Sequence, residues 1–218
     1  MDLSKQGKNA KSRGSKWERD VAKILGDWWG KEFNRTPASG SLHWGEQFNV
    51  SGDVVTTKEA KFPFNVECKA HQGWTIDNLI RSNGEFPSWW EQSKHDADEA
   101  HKVPCIIYRR PGDRKSEAYF TCPFTTVFQR VLNKAGLWYL VSQLTYKVGK
   151  ASYSYKIITV SFMDLTKVKP VEVIKDYYQL NWRREGKLVE REPKVKQAGA
   201  EDVTQYAEDL IGGLLNDN

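Results

Sequence analysis

The chain has 218 residues, 39% hydrophobic and 28% charged, with a formal net charge of +5. That length supports one good core and at most a small appendage. No apolar run approaches the roughly 20 residues that span a bilayer. The polar, basic N-terminus also lacks the apolar centre of a secretory signal. Cys68, Cys105 and Cys122 are far apart with no Cys-x-x-Cys pair, which disfavours a zinc ribbon. Each falls in an apolar run and reads as a small core residue in a reducing compartment, the cytoplasm.

The charge is unevenly placed. Residues 1–16 carry Lys5, Lys8, Lys11, Arg13 and Lys16 against Asp2, whereas residues 190–218 carry seven acids and three bases. A basic body with a basic arm and an acidic tail fits a polyanionic partner.

In chain order, residues 1–14 read as a flexible basic arm. "SKWE" reads as a capping box, with Ser15 at the N-cap and Glu18 at N3. Trp17, Val21, Ile24, Leu25 and Trp28 follow at helical spacing, and the helix ends near Gly30. A short strand over residues 32–35 leads into the loop "TPASGSLHWGEQ". "FNVSGDVV" and "FNVECKAHQG" flank the polar "TTKEAK" and predict a β-hairpin.

Residues 71–87 read as a long loop. A helix follows over "SWWEQSKHDADEAHK", with Ser88 and Glu91 as a second capping box. "VPCIIYRR" predicts a buried strand and "EAYFTC" another. "PFTTVFQRVLNKAG" predicts a helix with Pro123 near its start and Gly136 as its stop. Residues 138–147 and 152–162 form a second hairpin, 166–198 give no clear pattern, and "EDVTQYAEDLIGGLL" predicts a terminal amphipathic helix. The fold class is α/β, a mixed β-sheet flanked by helices. Domain organisation is a main body over 15–165 and a C-terminal extension over 166–218.

In "FNVECKAHQG", Phe64, Val66 and Cys68 alternate with Asn65, Glu67 and Lys69. Glu67 and Lys69 therefore share a strand face, roughly 6–7 Å apart at about 3.3 Å per residue. Glu-x-Lys also occurs at Glu59–Lys61, Glu185–Lys187 and Glu192–Lys194, but only this pair lies inside an apolar, β-favouring run. A solvated salt bridge is the bland alternative, worth about 0–1 kcal/mol.

The hairpin brings Asp53 close to Glu67. Two converging carboxylates repel unless a cation lies between them. Oxygen ligands with open water positions suit Mg²⁺, with Mn²⁺ as substitute. Asp53, Glu67 and Lys69 together form a coherent phosphodiesterase site.

Asp53 followed by Glu67-Cys68-Lys69 resembles the core of the PD-(D/E)xK nuclease superfamily, with Gly52 in place of the usual proline. "RGSKWERD", "RTPASGS", "SGDVV", "NVECK" and "WEQ" resemble, more specifically, the archaeal-type Holliday junction resolvases, including versions carried by viruses. The resemblance covers roughly residues 12–110. It implies a restriction-endonuclease-like sheet and Mg²⁺-dependent hydrolysis of branched DNA, namely four-way junctions, by a homodimer making paired nicks. For a viral version the setting is the host-cell cytoplasm.

The resemblance also assigns roles. Asp53, Glu67, the Cys68 backbone carbonyl and Glu18 are candidate metal ligands. Lys69 is the catalytic lysine, Ser39 the serine of a loop, and Gln92 the glutamine of the next helix. Charge placement, apart from the resemblance, makes Lys5, Lys8, Lys11, Arg13, Lys16 and Arg35 candidate DNA contacts. Trp74, Trp89, Trp90 and Tyr108 are either core or platforms for unpaired bases. Two other readings stand beside this one: a different PD-(D/E)xK DNA nuclease, and a non-catalytic DNA-binding module.

Overall fold

The computed structural model describes residues 3–36, 52–178, 180–184 and 187–188. Helix α1 spans Leu3–Trp29. It starts twelve residues before the capping box at Ser15, which therefore does not form. Residues 3–14 contain no proline, and Leu3, Lys5, Gln6, Lys8, Ala10, Lys11 and Arg13 favour helix against Gly7 and Gly14. A capping box helps only where the chain is not already helical. Trp17, Val21 and Leu25 lie fully buried along one stripe. The Trp17 indole N–H donates to the Ile107 carbonyl at 3.2 Å. Gly30, at φ +67°, ends the helix as its sequence position predicts.

The sheet runs β1-β2-β3-β4-β5-β7-β6, and β8 (Lys187–Leu188) pairs β7 off this path. Strand β2 (Val54–Thr56) pairs antiparallel with β1 (Phe33–Arg35) on one side and β3 (Phe64–Ala70) on the other. β3 and β4 (Val103–Arg109) are parallel, and every other pairing is antiparallel. A parallel pair needs a long crossover. Here it contains α2 (Ile76–Ile80) and α3 (Phe86–Glu99).

Residues 71–87 are therefore only partly a loop. Thr75 and Asn78 cap α2 reciprocally. Helix α3 starts at Phe86, and the Ser88 hydroxyl donates to the Glu85 carbonyl at 2.7 Å instead of capping. Pro87 explains the earlier start, because proline is well tolerated in a first helical turn. Trp74, Trp89, Trp90 and Tyr108 are all core. Among the described residues the exposed tryptophan is Trp138, at 90%.

β5 (Tyr119–Pro123) ends at the proline that the sequence suggested for a helix start. Helix α4 (Thr126–Lys134) is capped by the Thr125 hydroxyl, which accepts from the Phe128 N–H at 3.0 Å. β6 (Tyr139–Val148) and β7 (Ala151–Ser161) form the second hairpin. The packing then continues past residue 165. After α5 (Phe162–Leu165), helix α6 (Pro170–Tyr177) buries Val173 and Tyr177 completely.

One compact unit spans Met1–Leu188; the second, Val189–Asn218, and the helix predicted in it lie outside the described residues. Cys105 and Cys122 are buried, Cys68 is half-buried, and all three are free. Among the described residues no helix is long and apolar enough to cross a membrane.

Candidate active site

Asp53 enters the sheet at the head of β2. Its N–H donates to the Val66 carbonyl at 2.8 Å, and its carbonyl accepts from the Thr36 N–H at 2.9 Å. Its Oδ2 accepts the Cys68 N–H at 2.8 Å. The carboxylate is thereby tied to the strand that carries Glu67 and Lys69.

Gly52 explains the missing proline. Its φ is +81°, whereas proline is confined near −65°. A Cβ at Gly52 would lie 2.5 Å from Asn65 Oδ1 and 2.7 Å from the Val66 carbonyl oxygen. Gly52→Ala is therefore expected to cost about 2 kcal/mol or more, combining backbone strain with a clash. Chemical denaturation measures this; a loss below about 0.5 kcal/mol, the level of an ordinary surface change, contradicts it.

β3 presents Glu67 and Lys69 on one face, as the alternation predicts. Glu67 is 4% exposed. The Lys69 ammonium donates to Glu67 Oε1 at 2.6 Å and to Gln92 Oε1 at 2.8 Å. Gln92 reaches this lysine from α3 because the β3–α3–β4 crossover lays that helix over β3 and β4. Two acceptors from different elements fix the ammonium against the face where the carboxylates converge.

Burial, then the neighbouring Asp53 charge, pushes the Glu67 carboxyl well above its ordinary value, against the pull of Lys69. Burial likewise raises Asp53, opposed by the Cys68 N–H and reinforced by the negative charge of Glu18. Asp96 adds repulsion on both. Sequence reasoning missed Asp96, although its position one helical turn after Gln92 was a usable signal. It also missed Asn65, a buried neighbour on the Glu67 face whose amide packs against Gly52.

Glu18 projects from the interior of α1 and pairs with Arg35 of β1, both half-buried. Its charge reaches Asp53, but its carboxylate is held by the arginine. Arg35 is therefore an internal partner of the site. Lys16 is exposed on α1. Ser39 lies outside the described residues, as do the side chains of Lys5, Lys8, Lys11 and Arg13.

The donor set fits a hard divalent cation. The buried Glu67 and half-buried Asp53 carboxylates, both with raised proton affinity, converge with one ammonium, and Mg²⁺-type ions need few protein oxygens because they retain water. Asp53 and Glu67 would hold such an ion, with Glu18 and the Cys68 carbonyl as further oxygens. A bound ion of this kind supplies acidified water and charge stabilisation at a phosphate. Among the described residues, the group of three ligating side chains within 4.8 Å of one another is His95, Asp96 and Glu99 on the outside of α3. It is solvated, and Asp96 alone of the three bears on Asp53 and Glu67.

Comparison with known proteins agrees with this geometry. Residues 9–175 match the model of the family described as "Phage putative PDDEXK endonuclease". Protein D14 of Escherichia phage T5 is 26% identical over 112 residues, covering 47% of this chain and 65% of that protein. The chain thus spans about two thirds of the length of that curated relative. No solved structure matches. The family match takes in α1, the Asp53–Glu67–Lys69 hairpin, α3 and the sheet through β7, and on that extent the chain belongs to the phage PDDEXK endonuclease family.

Proposed function

We propose that the chain is a Mg²⁺-dependent endonuclease that resolves four-way DNA junctions by paired, symmetric nicks. The observation that carries the chemistry is Lys69, hydrogen-bonded to both Glu67 and Gln92 beside the tethered Asp53. In this reading Asp53 and Glu67 hold Mg²⁺, with Mn²⁺ as substitute. Lys69 orients the attacking water or balances charge on the phosphate, and Gln92 keeps its ammonium aimed. Ser39 contributes from its loop, Glu18 from α1, and the Cys68 carbonyl completes the oxygen set. Junction preference is supported by the sequence motifs from "RGSKWERD" to "WEQ", which resemble archaeal-type resolvases. The free cysteines suit the reducing cytoplasm we propose as the setting.

The test is a gel assay of a four-way junction, a splayed arm and a linear duplex, each with Mg²⁺ and with EDTA. Paired cutting confined to the junction supports the proposal. Equal cutting of duplex and junction assigns the site to a broader DNA nuclease. No metal-dependent cutting of any form leaves a DNA-binding module.

Resolution requires nicks in two opposed strands, and each site cuts one. A two-fold dimer presents two sites in matching geometry, and C₂ is the commonest oligomer symmetry. Sedimentation is expected to give about twice the 25.1 kDa chain mass. A monomer both free and on DNA contradicts it.

The basic start of the chain is proposed to contact phosphate. Deleting residues 1–13 is expected to weaken binding and flatten its salt dependence, by about 0.9 log units of slope for each phosphate no longer neutralised. An unchanged slope removes this segment from the interface.

A further inference from the structure

We propose that a basic cleft at the end of the sheet where β3 and β4 begin is a cradle for DNA backbone phosphate. It lies away from the cleavage site. This inference rests on the nuclease reading for the identity of its occupant.

The cleft has a volume of about 470 Å³. Its polar wall is Thr57, Lys58, Lys61, His101, Lys102 and Tyr178, and none of its lining residues is acidic. Three ammonium groups in one concavity repel one another unless an anion sits among them. Two connections supply them: the turn between β2 and β3, and the link from α3 to β4. The Val103 N–H donates to the Pro63 carbonyl at 2.9 Å and locks these two connections side by side. Lys61 and His101 both adopt left-handed backbone conformations, φ 49° and 52°, which turn the chain sharply at the cleft.

Lys102 strengthens the case. Burial lowers the proton affinity of its ammonium, and among the described residues no carboxylate lines the cleft to compensate. The C-terminal end of α3 opposes anion binding with roughly half a negative charge, which three lysines outweigh. Glu59, in the same turn, is fully exposed and does not line the cleft. Arg183, beyond the rim, is already paired with Asp98.

The cradle and the cleavage site share their supports. Lys58 and Lys61 sit in the turn of the very hairpin that carries Asp53, Glu67 and Lys69. Ala100, in the cleft wall, continues the helical line of Gln92 and Asp96. Lys61 and Glu67 are six residues apart, at most about 20 Å at roughly 3.3 Å per residue. At about 3.4 Å of duplex axis per nucleotide of one strand, that separation corresponds to about six base pairs. A DNA arm lying along the hairpin would meet the cradle there.

The test uses the full chain. Lys58 and Lys61 are exposed, so Lys58→Gln with Lys61→Asn removes two charges without disturbing the core. Asparagine also tolerates the left-handed backbone at position 61. Lys102→Gln is made separately, with circular dichroism as the check on folding.

In metal-free buffer, the dissociation constant for DNA with arms of about twelve base pairs is expected to rise about tenfold in the double variant, and the log–log salt slope to fall by about 2. With arms cut to about four base pairs, shorter than the reach to the cradle, variant and wild type are expected to bind alike. Single-turnover cleavage at saturating DNA is expected to stay within about twofold of wild type, because the cradle adds only uniform binding.

Unchanged affinity and slope on long arms overturn the proposal, as does an equal loss on short arms. Tight binding of inorganic pyrophosphate with unaltered DNA affinity reassigns the cradle to a free phosphate compound and also overturns it. Wild-type protein that binds but cuts no DNA refutes the nuclease reading, while the affinity comparison still decides the cradle.

Discussion

Lys69→Ala is expected to lower the cleavage rate about 10³-fold, the order seen when a single positioned donor to a developing charge is removed. Binding to the proposed junction substrate should change by less than about threefold, since phosphate affinity is spread over many cations. The structure adds a control. Lys69 donates to Glu67 at 2.6 Å, so its loss removes the cation that draws Glu67 toward ionisation. Part of any defect could then come from a Glu67 that holds its proton and binds metal poorly. Raising the pH to about 9 with saturating Mg²⁺ ionises a carboxyl even when its pKa is strongly raised. A defect that persists there belongs to the ammonium itself. A wild-type rate under those conditions sinks the assignment.

Glu67→Gln is expected to abolish the proposed cleavage and yet stabilise the metal-free protein at alkaline pH. Both Asp53 and Glu67 have folded-state pKa values above their ordinary values of 3.8 and 4.5, chiefly through burial. For a raised pKa, the folded state binds the extra proton. That stability is therefore fully present below about 4 and is lost as pH rises toward the Glu67 value of about 7. At pH 8 the buried negative charge is a net cost, and glutamine removes it while still accepting the Lys69 hydrogen bond.

The gain is expected to be about 1–3 kcal/mol at pH 8, or roughly 3–8 °C in Tm for a chain of this size, and to vanish near pH 4. Adding Mn²⁺ should raise the Tm of wild type and leave that of Glu67→Gln nearly unmoved. Asp53→Asn should behave similarly toward metal, because its amide oxygen can still accept the Cys68 N–H. Calorimetric titration of both variants with Mn²⁺ is expected to show at least about a tenfold loss of affinity, since a neutral amide is a poorer ligand for a hard cation. Unchanged affinity in both variants would remove these residues from the proposed metal site.

Much of this arrangement was legible before the fold was known. The alternation of Phe64, Val66 and Cys68 with Glu67 and Lys69 placed the acid and the base on one face, because strand periodicity is a property of neighbouring residues. The hairpin carrying Asp53 followed from a polar turn between two apolar runs, and the β6–β7 hairpin followed likewise. Local signals failed where a competing local option existed. Ser15 and Glu18 match a capping box, yet no proline interrupts residues 3–14 and α1, already helical from Leu3, runs straight through them. Ser88 and Glu91 match another, yet Pro87 lets α3 begin earlier. Helix α6 was missed in a charged segment, although Pro170 followed by Val173 and Tyr177 marks its start and buried stripe.

By itself the sequence determined the residues of one strand face, the hairpin that brings Asp53 to it, and a chemistry of carboxylates with an ammonium. These depend on spacings of two residues and on one short turn. Only the tertiary structure decided that Gln92 grips Lys69, that Asp96 presses on both carboxylates and that Arg35 holds Glu18. It alone decided that Gly52 must be glycine because Asn65 and Val66 occupy the space a Cβ needs. It also brought the lysines of two separate connections together around one cleft. Each of these is a contact between elements far apart in the chain, fixed by the parallel crossover from β3 to β4. No local periodicity encodes which side chain of α3 that crossover will lay over the site.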